Sequence, residues 1–114
     1  MLVTDAMPTI GSTTKSFRIG DTDVTASGGI LSSADGTLAG SDLDMASALR
    51  NCVKMMRVDL VSASQMASAT PASFLGLSES HGRIAPGCHA DLVHLDDQLQ
   101  VQATWISGEI LQTQ

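Results

Sequence analysis

The chain opens on Met1-Leu2-Val3-Thr4-Asp5, a short apolar run that stops at a carboxylate and passes at once into Ala6-Met7-Pro8. No other stretch constrains the fold as much. A strand this short needs neighbours, and in a parallel α/β barrel the side chains that do chemistry sit at the C-terminal ends of strands. Read this way, the opening residues form a strand, Asp5 is an acid or base at its tip, and the strands beside it come from upstream of these residues. The plain alternative is a turn or helix cap, the usual duty of an aspartate at such a junction.

With 114 residues, 43% of them hydrophobic, the chain is long enough for one modest core, burying roughly 65% of the surface exposed when unfolded. A net charge of −6 with only six Lys and Arg argues against nucleic acid and against an anionic membrane surface, because neutralising phosphates takes clustered cations. Phe17, Phe74 and Trp105 are the only aromatics, too few for a base-stacking platform. No apolar run reaches membrane-span length and no secretory signal pattern opens the chain, so a cytoplasmic location is expected. Cys52 and Cys88 form no metal-binding spacing. A disulfide between them stays open on sequence, although free thiols suit that compartment. Met45, Met55, Met56 and Met66 fall in helical segments and read as core packing.

Pro8 to Thr14 reads as a loop. Phe17-Arg18-Ile19 and Val24-Thr25-Ala26 flank Gly20 to Asp23 as a hairpin, and Gly29 to Ser32 forms a further strand before the Ala34-Asp35-Gly36 turn. A first helix is expected from Ser41, its hydroxyl capping the first turn with Asp44 as an imperfect capping box, through Leu43, Ala46, Leu49, Val53 and Met56. A second should open at Asp59 and run to about Ala69, and a short third at Pro71 through Leu75 before Gly76. Beyond Gly76 the signals turn to β: a turn over Ile84 to Gly87, a strand over Ala90 to Leu95, and a closing hairpin of Val101 to Ile106 and Glu109 to Leu111 about Ser107-Gly108. Such short elements leave sheet edges that need partners.

The motifs Leu2-Val3-Thr4-Asp5-Ala6-Met7, Asp35-Gly36-Thr37-Leu38-Ala39-Gly40-Ser41 with Leu43 and Met45, Arg50-Asn51, and Met66-Ala67-Ser68 through Pro71-Ala72 resemble the N-acetylglucosamine-6-phosphate deacetylase family of the amidohydrolase superfamily. The resemblance runs over nearly the whole chain. Its closing part, His81-Gly82 through Pro86-Gly87 and Ala90-Asp91-Leu92-Val93, is similar to amidohydrolases in general.

The resemblance implies an α/β fold: the C-terminal piece of a (β/α)8 amidohydrolase barrel, its last strand and helices, plus the C-terminal strands of a small β-sandwich. Residues 1–76 would be the barrel end, with a β-hairpin insertion near 17–32, and residues 77–114 the sandwich segment. The implied reaction is hydrolysis of the acetamide of N-acetylglucosamine 6-phosphate to glucosamine 6-phosphate and acetate. A divalent metal, zinc by expectation, would activate water, and Asp5 would take its proton and return it to the departing amine. Leu38, Ala39 and Gly40 would meet the sugar: Gly40 permits close approach, and a helix beginning near Ser41 would offer free amides. Thr37 and Ser41 could bond sugar hydroxyls or serve only turn and cap duties. The resemblance puts no metal ligand in this chain, since those residues and the phosphate anchor lie upstream in the family. His81, His89 and His94 lack His-x-His spacing and read as surface or strand histidines.

The implied partners are a small amino-sugar phosphate and a second copy of the parent, as a homodimer. The segment by itself is expected to be inactive. Two other readings compete: a fragment of another amidohydrolase, dihydroorotase-like or deaminase-like, or a non-catalytic truncated module. The sequence upstream of Met1 would separate them. Arg57 stands where the family commonly has a glycine closing the first helix, a left-handed position that disfavours arginine by roughly 1 kcal/mol.

Overall fold

The computed structural model describes residues 1–111, which divide into two units, Val3–Ala48 and Met1–Leu2 with 49–111. The first unit is an antiparallel meander of β1 (Ser16–Ile19), β2 (Thr22–Ser27), β3 (Ile30–Ser33) and β4 (Leu38–Ser41), in the order β1-β2-β3-β4. Ile19 pairs with Thr22, so Gly20-Asp21 is a two-residue turn, and Gly20 supplies the positive φ that such a turn requires. Phe17 faces Val24, Val24 faces Ser33, and Ala26 faces Leu31, which sets these side chains on one side of the sheet. Val24 and Leu31 are almost completely buried and form the centre of this small core, as is Thr9. A bulge between Ile30 and Ser32 shifts the register against β4.

Helix α1 (Met45–Lys54) follows, later than the Ser41 start read from the sequence. Two elements replace that expectation: residues 38–41 are a strand, and Asp44 is the cap, taking Ser47 N–H at 2.7 Å and the Ser47 hydroxyl at 2.6 Å. The helix closes with Arg57 in the left-handed region at φ 60° while Val58 N–H reaches back to the Cys52 carbonyl. Arg57 therefore occupies a backbone that glycine favours.

The second unit contains α2 (Leu60–Ala67), α3 (Ala69–Phe74) and the antiparallel sheet of β5 (Leu92–Leu95), β6 (Val101–Ile106) and β7 (Glu109–Ile110). Asp59 caps α2 by accepting Ser62 N–H at 2.9 Å, as the sequence leads one to expect. Helix α3 begins two residues before Pro71, because the third residue of a helix has no intrahelical acceptor for its N–H and proline's missing donor costs nothing there. Leu49, Cys52 and Ala63 make the buried centre, packed by Leu2, Val53, Val58, Met66, Ala67, Leu95 and Leu99. Met66 thus serves the core as expected, whereas Met45, Met55 and Met56 are exposed. Both cysteines are free thiols, Cys52 buried.

The opening residues form no strand ladder. Among the described residues Leu2 N–H bonds the Met66 carbonyl at 2.8 Å, and the only pairing of this stretch is one parallel bridge between Ala6 and Ser41. A strand exists only through its neighbours, and apart from that bridge Met1 to Asp5 pair with no strand among the described residues. No helix among the described residues is long and apolar enough to cross a membrane.

Candidate functional site

Asp5 lies beside the Leu38–Ser41 strand. Its carbonyl accepts Ser41 N–H at 2.9 Å, and Met7 N–H donates to the Ser41 carbonyl at 3.0 Å, so residues 5–7 lie along the outer edge of β4. The Ser41 hydroxyl donates to the Thr4 carbonyl. These bonds hold Asp5 at φ 52°, a left-handed conformation that aspartate tolerates better than most residues. Its side chain is exposed and, among the described residues, has no hydrogen bond or ion pair. The carboxylate is therefore accessible to an approaching group.

Gly40 explains how close that edge can come. At its φ of 109° a Cβ would stand 2.5 Å from Met7 Cγ, closer than real contacts allow, and 3.1 Å from the Asp5 carbonyl oxygen, a tight contact. The close approach anticipated for Gly40 is thus made to the chain's own Asp5 to Met7 segment. Leu38 is 70% exposed, and Ala39 and Gly40 are half-buried. The free helix amides anticipated at this point lie elsewhere, since α1 starts at Met45 under its Asp44 cap. Ser41 gives its hydroxyl to Thr4 rather than to a helix. Thr37 serves the Asp35 turn, where its N–H reaches Asp35 Oδ1 at 3.0 Å. The Ser33 hydroxyl, then Thr37, hold the Asp35 carboxyl below its usual range.

Next to this edge Lys15 Nζ bonds Asp42 Oδ2 at 2.7 Å and the Thr9 carbonyl at 2.9 Å. Lys15 first, then the Thr9 hydroxyl, hold the Asp42 carboxyl low. Thr9 Oγ1 and Asp42 Oδ1 are both buried without a well-formed hydrogen bond, so the hydroxyl acts on the carboxylate by proximity. This clamp fixes the backbone immediately after Ser41.

In the other unit His81, His89 and Asp91 each bring a donor atom within 4.8 Å of the others. The two imidazoles stack with centroids 4.5 Å apart and planes 17° off parallel. Sequence spacing did not reveal this group, because a seven-residue loop, not a helix or strand period, joins the histidines. The Pro86-Gly87 turn between them was the only available hint.

Residues 10–111 match the amidohydrolase family model. The chain is 47% identical over 111 residues to an N-acetylgalactosamine-6-phosphate deacetylase of Shewanella sp. (strain ANA-3), covering 97% of this chain and 28% of that protein. It superimposes on N-acetylglucosamine-6-phosphate deacetylase from Pasteurella multocida with a TM-score of 0.92 at 27% identity, covering 97% of this chain and 29% of that one. A mutant of the Mycobacterium smegmatis N-acetyl-D-glucosamine-6-phosphate deacetylase in complex with N-acetyl-D-glucosamine-6-phosphate gives a TM-score of 0.78 at 33% identity, over 95% of this chain and 29% of that one. The chain thus spans less than a third of the length of these relatives. On the match over residues 10–111 and the mixed α/β architecture with antiparallel sheets shared with those structures, the chain belongs to the amidohydrolase family.

Proposed function

We propose that the protein of which these residues form a part hydrolyses the acetamide of N-acetylglucosamine 6-phosphate, releasing glucosamine 6-phosphate and acetate. The observation that carries this reading is the placement of Asp5: an exposed, unbonded carboxylate on the edge of the Leu38–Ser41 strand, in a chain whose relatives are named for that class of reaction. Amide hydrolysis needs a base to take a proton from attacking water and an acid to protonate the departing nitrogen. One carboxylate can do both in turn, and Asp5 has the accessibility to do so. Leu38, Ala39 and Gly40 form the wall against which the sugar would lie.

The family is generally metal-dependent. Among the described residues of Asp5's own unit there is no group of three His, Cys, Asp or Glu donors, so these residues do not by themselves fit a catalytic metal centre. This chain's part in the reaction is the proton shuttle and one side of the sugar site. By itself it does not complete the reaction.

Exposed apolar side chains support a place within a larger barrel. Val3 and Met55 are each 75% exposed and Phe74 77%, apolar side chains that neighbouring barrel elements would cover. Residues 1–76 would complete the barrel and 77–114 the small β-sandwich, in a cytoplasmic homodimeric enzyme.

A second reading replaces the substrate by its 4-epimer, N-acetylgalactosamine 6-phosphate, because the 47% identical relative bears that name. Acetate release from each sugar phosphate by the full-length protein tests both. Faster turnover of the gluco sugar is expected; preference for the galacto sugar moves the assignment to the epimer, and no acetate from either overturns it.

A further inference from the structure

We propose that His81, His89 and Asp91 form a binding site for a divalent transition-metal ion of the zinc type. Imidazole and carboxylate are the ligands such ions favour, and the three donors converge from a loop and a strand approach rather than from a single helical turn. None of these residues takes part in the proton chemistry assigned to Asp5, and the proposal stands without that reading.

The backbone builds the site. His89 N–H donates to the Ser80 carbonyl at 2.8 Å, which brings the two histidine segments side by side. Gly82, just after His81, lets this loop press onto α3: at its φ of 85° a Cβ would lie 2.8 Å from Ala72 Cβ and 2.9 Å from Ala69 Cα. On the other side Asp91 Oδ1 accepts Ser107 N–H at 2.7 Å, and Gly108 N–H bonds the Ala90 carbonyl at 3.0 Å. The β6–β7 turn thereby fixes Asp91 and leaves Oδ2 for a ligand.

The side chains are also prepared. Ser80 Oγ lies 2.7 Å from His81 Nδ1. That contact orients the ring and leaves Nε2 as its donor, the arrangement by which an outer hydrogen bond commonly steers a ligating histidine. His89 is exposed and rests on His81 by stacking. Parallel rings do not aim their lone pairs at one point, so a turn of the His89 ring closes the site. Donors on a tetrahedral ion with bonds of about 2.0–2.1 Å stand roughly 3.4 Å apart. From separations within 4.8 Å the group therefore contracts by up to about 1.4 Å on binding, within reach of two exposed side chains. Water completes the coordination, because His89 and Asp91 face solvent.

Titration of the metal-free full chain with zinc chloride, followed by calorimetry and by the imidazole NMR signals of His81 and His89, tests the site. One equivalent beyond that bound by the His89→Gln variant is expected, with both imidazoles shifting together. His89→Gln, His81→Ala and Asp91→Asn should each weaken binding by on the order of tenfold or more, and His94→Ala should leave it unchanged. Far-UV circular dichroism of the metal-free variants establishes that they fold. Should His81→Ala fail to, His89→Gln and Asp91→Asn, both at exposed positions, carry the test. No saturable uptake, or uptake removed by Cys88→Ser or His94→Ala but not by His89→Gln, overturns the proposal.

Discussion

The missing side chain of Gly40 makes room for Asp5: a Cβ at Gly40 would stand 3.1 Å from the Asp5 carbonyl oxygen and 2.5 Å from Met7 Cγ. The glycine nearest the candidate base is thus a spacing element for the base's own backbone. Gly40→Ala should destabilise the fold by about 1–3 kcal/mol, through overpacking and a strained φ. In the full-length protein it should also lower turnover with N-acetylglucosamine 6-phosphate. Chemical denaturation and acetate release measure the two effects, and wild-type values in both would show that the edge relaxes freely.

Asp5→Asn removes the proton-transfer group while keeping size and backbone preference. Turnover by the full-length protein should fall on the order of 100-fold, with metal content, measured by elemental analysis, unchanged. Retention of near-normal turnover would remove Asp5 from the mechanism.

Arg57 occupies a left-handed helix exit at φ 60°. Arg57→Gly should raise stability by roughly 0.5–1 kcal/mol, the relief at that φ being partly offset by the greater freedom of glycine in the unfolded chain. Thermal unfolding reads the shift, and a lower Tm would contradict it.

Asp42 and Asp59 hold depressed carboxyl pKa values, Asp42 through the Lys15 hydrogen bond and Asp59 through the Ser62 N–H. A carboxyl depressed in the folded state contributes stability that is fully present above its unfolded value and is lost as pH falls through the folded one. The melting temperature should therefore hold near neutrality and drop below about pH 4. Asp59→Asn keeps a capping acceptor without the charge, and Asp42→Asn likewise keeps the shape. Each should flatten the acid limb of a Tm profile between pH 2 and 7, and an unchanged slope in both variants would assign acid sensitivity to other groups.

Much of the local architecture was legible in the residues alone. Asp59 before Leu60 and Ser107-Gly108 between β6 and β7 each act over a few residues, so the sequence carries their whole signal. The first hairpin was legible too, but its turn, read as Gly20 to Asp23, is the tighter Gly20-Asp21 because Thr22 and Asp23 already pair with β1. The expected start of α1 at Ser41 failed for a related reason. A serine hydroxyl bonding a remote carbonyl has the same local sequence as one capping a helix, and Ser41 is bonded to Thr4, 37 residues away.

By itself the sequence determined the hairpins, the helical block, the motif that marks Asp5 and the turn that commits Gly20, because these depend on backbone preference and side-chain period. Tertiary structure alone decided that Asp5 lies along Leu38–Ser41, that Gly40 is obligatory there, and that His81 meets His89 and Asp91. The first two are contacts between segments about 35 residues apart, the third crosses a loop without a regular period, and no local rule fixes which groups meet once loops allow several arrangements.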